Sequence, residues 1–396
     1  MRPLHAIGIM SGTSLDGIDA VLVRAVPKRS GYGVQILGHR FDPFPRGYSK
    51  TVRAAAADDS LRTAARIGAV WSERSSRTVL RLLRSVPFSA ARVDCIAAHG
   101  QTLVHEPIPT QFLGERIGFT IQVGDLSRLA IRTAIPVVGN FRAADVAEGG
   151  HGAPLTPHGH ALLFGTLAKC VAVQNLGGIG NVTLLRNGRV SLAFDTGPAN
   201  AWIDAVVRQK TNGRLAYDRD GRLAERGKPD GILVAKLAAD PYFRKKPPKS
   251  AGWEQFGPAR LAPYRARFSR LSLADAVATA TYATAFVTAE AYQAFVFPIG
   301  KPKLLILTGG GAKNSFFVRL LGKFLPELRI VTSDAFGIPP DQLEAVCFAL
   351  LGIETLRGRP SSEPSATGAR KAALCGEISF GGVGARIDRV RSVLLR

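Results

Sequence analysis

Three segments of this 396-residue chain bring glycines together with hydroxyl or amide side chains, a combination that lets backbone N–H groups wrap around phosphate. In the first, Gly12-Thr13-Ser14-Leu15-Asp16-Gly17-Ile18-Asp19, the glycines permit close backbone approach and Thr13 and Ser14 add hydroxyl donors. Asp16 and Asp19 are acceptors for the magnesium side of a nucleotide, with Asp16 the candidate metal contact. The second runs from Asn175 to Asn181 and carries Gly177 and Gly178; the third runs from Leu307 through Gly309, Gly310 and Gly311 to Asn314, where a base or ribose can lie against bare backbone. Each alone also reads as an ordinary polar or glycine-rich turn. Neither G-x-x-x-x-G-K-[ST] nor a G-x-G-x-x-G inside a βαβ unit occurs, so the chain is not a P-loop or dinucleotide-binding protein.

Phosphoryl transfer also needs a carboxylate to handle the nucleophile's proton. Asp195 ends a strand in Phe194-Asp-Thr-Gly-Pro-Ala-Asn200, where its side chain projects from the sheet; a helix N-cap or turn aspartate is the competing reading. Asp145, with Arg142 beside it as an anion partner, is a second candidate, and a helix-surface ion pair explains that couple equally well. His99 and His105 flank Gly100-Gln101-Thr102 in a polar loop suited to sugar hydroxyls, although His99 also fits a hydrogen-bonded core position. His151, His158 and His160 cluster, but Pro154 and Pro157 interrupt any helical face that would align them on a metal. Four scattered cysteines with no C-x-x-C pair argue against a disulfide framework or zinc site.

The elements that must position these residues alternate between strand and helix. Strands at 6–10 and 18–23 enclose the first glycine segment, a third strand runs over 33–44, and helical spacing fills 60–86. Short strands follow at 93–97, 118–123 and 135–138. From Gly149 the plan begins again: strand 170–174, glycine turn, strand 181–185, a short strand ending at Phe194 and a helix over 199–208. A long alanine-rich helix covers 271–295, strand 304–307 leads into the third glycine segment, and a last helix spans about 340–356. The expectation is an α/β fold of two lobes with duplicated mixed sheets around an ATP cleft, resembling the plan of actin, hexokinase and the chaperone ATPases. One lobe takes 1–140 plus about 357–396 and carries the first phosphate hairpin. The other takes 141–356, with the second hairpin, the catalytic aspartate and the adenosine loop.

With 46% hydrophobic and 21% charged residues the composition is that of a folded globular protein rather than a disordered one. No apolar run reaches membrane-spanning length and no secretory leader is recognisable, which points to the cytoplasm. The net charge of +22 is spread along the chain, and its densest run, Arg244 to Lys249, lacks interleaved aromatics. We therefore expect a solvated basic surface rather than nucleic-acid binding.

Taken together, the motifs resemble those of the anhydro-N-acetylmuramic acid kinase family. They are Ile9 to Asp19, His99-Gly-Gln-Thr102, Gln122 to Asp125, Phe141-Arg142 with Asp145, Gly149-Gly150 with Gly152 to Leu155, Asn175 to Gly178, Phe194 to Pro198 with Asn200, Gly309 to Gly311, and Gly337 to Pro340 with Glu344. The resemblance implies ATP and magnesium as cofactors, 1,6-anhydro-N-acetylmuramic acid as the small-molecule partner, and no nucleic-acid or membrane partner; it leaves a homodimer open. It further implies that Gly12 to Asp19 bind the ATP phosphates, that Asp195 is the catalytic base and that Glu344 helps hold the sugar. Ala251 and Trp253 stand where Thr and Arg are usual, and His151 and Gly180 where Gln and Ala are. A catalytically silent sensor of the same fold and a conventional hexose kinase are the rival readings.

Overall fold

The computed structural model describes residues 2–12, 15–57 and 60–381, so Thr13 and Ser14 lie outside the described residues. The chain divides into two compact units, Met1–Phe164 with Gln342–Arg396, and Gly165–Asp341.

The first unit is built on a six-stranded sheet. Strands β1 (Leu4–Met10), β2 (Gly17–Pro27) and β3 (Tyr32–Pro43) form an antiparallel meander; β4 (Cys95–Ala98) and β7 (Val137–Gly139) continue parallel to β1, and β13 (Glu377–Ser379) closes the far edge antiparallel to β7. β1 is apolar on both faces because both are covered. Ile7 and Ile9 pack toward Trp71, Val79 and Leu82 of the helix Leu61–Ser85. Gly8 points to the other face, where the helix Leu343–Leu356 lies so near that a Cβ on residue 8 would meet the Ala345 carbonyl oxygen at 1.8 Å. Gly352 allows the same helix to lie on Ala97.

A separate two-stranded sheet is made by β5 (Gln101–Phe112) and β6 (Glu115–Val123). The sequence suggested a polar loop around His99 and His105; only His99 and Gly100 lie outside the strand, and His105 is within β5. The register is irregular between Glu106 and Thr110, where Pro107 and Pro109 sit without ladder donors.

The second unit repeats the first. Strands β8 (Cys170–Leu176), β9 (Gly180–Arg186) and β10 (Arg189–Gly197) form the antiparallel meander, and β11 (Leu304–Thr308) and β12 (Arg329–Thr332) continue parallel to β8. The order β10-β9-β8-β11-β12 matches β3-β2-β1-β4-β7 strand for strand and direction for direction. This is the expected α/β fold with duplicated mixed sheets. The helix Leu273–Ala291, alanine-rich and apolar on nearly every side, is correspondingly buried in this unit's core.

The division between units differs from the expected 140/141 and 356/357. The helix Leu343–Leu356 packs on β1, β2 and β4, and the helix Thr156–Phe164 packs on it in turn, so both belong to the first unit. Arg142, Asp145 and Glu344, expected in the second lobe, move with them. Pro157 also proves compatible with a helix, because it falls in the first turn, where its missing N–H is not needed. His158 and His160, two residues apart on that helix, point in different directions.

Candidate active site

In the first unit the β1–β2 connection opens with Ser11, whose hydroxyl donates to the Gly100 carbonyl at 3.2 Å and accepts from Trp71 Nε1 at 2.9 Å. That buried pair ties the first glycine segment to the end of β4. Leu15 adopts a positive φ of 56°, and its N–H bonds back to Gly12 O at 3.2 Å. Asp16 is exposed while its carbonyl accepts from Phe44 N, Gly17 and Ile18 are buried in β2, and Asp19 pairs with His39 Nε2 at 3.1 Å. Asp16 and Asp19 offer hard carboxylate oxygens, the donor type magnesium prefers.

At the ends of β4 and β7 a polar network is locked in place. Arg142 directs Nε and Nη2 to His99 Nε2, at 3.2 and 2.8 Å, and Nη1 to the Gly152 carbonyl at 2.6 Å. A guanidinium only donates, so His99 Nε2 is the acceptor and its Nδ1 carries the proton given to Gly100 O at 2.8 Å. Burial, reinforced by Arg142, pushes His99 down to about 3, and the ring stays neutral. Both nitrogens are satisfied, so His99 orients Arg142. Asp145 is fully buried and accepts from Gly152 N at 2.7 Å and from Thr367 Oγ1 at 2.8 Å. It fixes the loop that receives Arg142 and forms no surface ion pair with it.

Glu344 opens the helix Leu343–Leu356 with part of its surface reaching solvent while its carboxyl end is crowded by protein. Loss of solvent around its carboxyl raises its pKa, Asp19 adds to the rise, and Arg142 opposes it. Gln101 is buried with Oε1 lacking a partner among the described residues, and Thr102 lies opposite Gln122 across β5 and β6. A recess of about 300 Å³ adjoins them, lined among others by His99, Gly100, Thr120, Gln122, Asn140 and Glu377.

In the second unit Asp195 stands at the end of β10, opposite Asn181 of β9. It caps no helix: the N-cap of the helix Asn200–Lys210 is Ala199. Asp195 Oδ2 accepts from Ala251 N at 2.8 Å, its backbone N–H donates to Lys249 O at 3.2 Å, and its carbonyl accepts from Tyr242 Oη at 2.9 Å. Burial raises the carboxyl to about 7, against the Ala251 hydrogen bond and the charge of Lys249. A carboxylate with that value near neutral pH is suited to general base chemistry.

The glycine turns of this unit converge. Asn200 donates from Nδ2 to the Leu176 and Gly177 carbonyls, both at 2.9 Å, while the Asn200 and Ala201 N–H groups bond to Gly177 O and Gly178 O at 3.0 Å. A Cβ on Gly309 would meet Asn175 Oδ1 at 2.3 Å and one on Gly311 would meet Leu176 Cβ at 2.8 Å, so these glycines let the third segment lie against the second. Pro340 O clamps it, accepting from Gly309 N at 2.9 Å and Thr308 Oγ1 at 2.7 Å. Gly310 is open to solvent. Asn314, by contrast, uses Oδ1 to cap the helix Ser315–Phe324 through Phe317 N.

Sequence reasoning missed Lys249. It closes the basic run Arg244 to Lys249 that was expected to be solvated, yet it is only 6% exposed. The small residues Ser250, Ala251 and Gly252 that follow it were the available signal for close packing.

Two units of matching strand order, each with a glycine turn between its first two strands and one carrying a strand-end carboxylate of raised pKa, define a phosphotransferase of the duplicated α/β type. The model of the family described as "Anhydro-N-acetylmuramic acid kinase" matches residues 4–381. Proteins of that name from Caldanaerobacter subterraneus subsp. tengcongensis and Salinibacter ruber are 37% and 38% identical over 385 residues, covering 94% and 95% of this chain and 96% of each relative. One from Variovorax paradoxus is 40% identical over 380 residues, covering 94% of this chain and 98% of its own. The chain belongs to the anhydro-N-acetylmuramic acid kinase family, and is a kinase.

Proposed function

We propose that the protein acts in the cytoplasm on 1,6-anhydro-N-acetylmuramic acid, opening its internal bridge with water and phosphorylating O6 from ATP to give N-acetylmuramate 6-phosphate and ADP, a step of cell-wall sugar recycling. The observation that carries this reading is Asp195, a strand-end carboxylate set near neutral pKa and aimed by the Ala251 N–H, directly across from the second glycine turn.

Asp195 accepts a proton from water as the water oxygen bonds to the anomeric carbon. The C1–O6 bond breaks, and the freed O6 bonds to the γ-phosphorus as the bond to the ADP oxygen breaks. The proton on Asp195 passes to solvent. Backbone N–H groups of the glycine segments offset charge on the phosphates. Magnesium, accompanying the nucleotide and offered oxygens by Asp16 and Asp19, neutralises phosphate charge when bound. Arg142 and Glu344 supply polar contacts for the sugar, with His99 holding Arg142 in place and Gln101 Oε1 an acceptor in search of a donor; Asp145 acts through the loop that it holds.

The test is ADP release with magnesium-ATP and the anhydro sugar in ¹⁸O-labelled water. Sugar-dependent turnover with label at the anomeric carbon of a 6-phosphorylated product is expected. Turnover with free hexoses and no incorporation would replace this reading by a conventional hexose kinase.

A further inference from the structure

Among the described residues no carboxylate contacts the Lys249 ammonium. Its Nζ donates to the Tyr242 and Phe243 carbonyls at 3.3 and 3.4 Å and lies 4.5 Å from the ring centroid of Phe295, 4.8 Å from that of Tyr242 and 5.4 Å from that of Phe194. Three ring faces and two carbonyl oxygens form a cage that suits a cation. The same residue's backbone carbonyl receives the Asp195 N–H, and two residues later the Ala251 N–H reaches Asp195 Oδ2. Phe194, one wall of the cage, is the residue before Asp195, and Tyr242, another wall, donates to the Asp195 carbonyl. Two walls of the cage, Phe194 and Tyr242, thus also hold Asp195.

We propose that Lys249 is a positioning residue for the reaction: its ammonium, held in this cage beside Phe194 and Tyr242, acts through Asp195 by keeping that carboxylate in the proton-accepting form. This rests on the reading of Asp195 as the base. The charged groups that bear on Lys249 are Asp195, which favours the ammonium, and Lys245, which opposes it; burial, the largest influence, brings the amine down to about 8, still mostly charged at neutral pH. The Tyr242 phenol is raised by burial and by Asp195, and stays neutral.

The experiment is the pH profile of kcat/KM for the anhydro sugar at saturating magnesium-ATP in four full-length proteins: wild type, Lys249→Gln, Lys249→Arg and Asp195→Asn. Removing an opposite charge from beside a carboxylate moves its pKa up, so in Lys249→Gln the acid limb is expected to shift about one unit to higher pH, with activity recovering toward wild type in alkali. Lys249→Arg retains the charge and is expected to keep the wild-type limb. A Lys249→Gln profile lowered equally at every pH, or a limb left in place, overturns the proposal and assigns Lys249 to packing alone. Should Lys249→Gln fail to fold, Lys249→Met, which keeps the length of the side chain without its charge, takes its place under the same outcomes: a limb moved to higher pH supports the proposal and an undisplaced limb overturns it. Asp195→Asn separates the two ideas: if it remains active the base assignment itself falls, whereas if it is inactive and the limb does not follow the charge at 249, only the role of Lys249 falls.

Discussion

Gly8 of β1 lies directly beneath Ala345, the residue after Glu344, with no room for a side chain between them. The missing Cβ sets how deeply the helix Leu343–Leu356 sits on the sheet, and so where its first turn presents Glu344. In Gly8→Ala the clash is with backbone, which cannot rotate away, and we expect a loss of about 2 kcal/mol or more of stability. Thermal melts should show the lowered midpoint, and the folded fraction should have a raised KM for the sugar.

Asp195→Asn keeps the shape but removes the proton acceptor. We expect kcat to fall about 10²- to 10⁴-fold, the usual weight of a general base, with the melting temperature little changed. In the wild type, protonation of a carboxyl with pKa about 7 predicts kcat/KM falling as pH drops through neutrality. Steady-state kinetics across that range check both.

Asn200→Ala deletes the two side-chain bonds to the Leu176 and Gly177 carbonyls. The second glycine turn loses its brace, and KM for ATP should rise about tenfold, as the loss of two neutral hydrogen bonds allows. KM for the sugar should stay put, which titration of each substrate in turn would show.

His158 binds Glu363 Oε1 from Nδ1 at 2.7 Å, with Glu354 Oε2 3.9 Å from Nε2. Burial alone would lower its pKa, but the two carboxylates outweigh it and raise the ring to about 9. A folded pKa above the unfolded 6.5 means stabilisation that is complete below pH 6.5 and lost as pH climbs through 9. His158→Gln should therefore cost about 2 kcal/mol in mild acid and much less at alkaline pH, read by denaturant titration at both.

The strand-turn units and their duplication were legible because the signals are local: apolar runs on either side of glycine turns, met twice in the same order. Asp195 was legible for the same reason, and its placement at a strand end follows from Phe194 before it and Gly197-Pro198 after it. Strand β5 was not, because Pro107 and Pro109 interrupt its pattern, and only pairing with β6 across an irregular register recovers it. The division of the chain was misplaced because the helix Leu343–Leu356 is apolar nearly all round, so its own sequence does not reveal which sheet it covers. Lys249 was hidden by its neighbours: a charge at the end of a basic run looks solvated until the three rings that enclose it, two of them distant in sequence, come together.

Strand β10 is the outermost strand of its sheet, and an outer strand carries unpaired backbone groups that invite a second chain. At Asp195 that vacancy is filled by the backbone of Lys249. The segment that aims the carboxylate therefore also shields the sheet from edge-to-edge aggregation, so variants that loosen it should be lost from solution as well as from the assay.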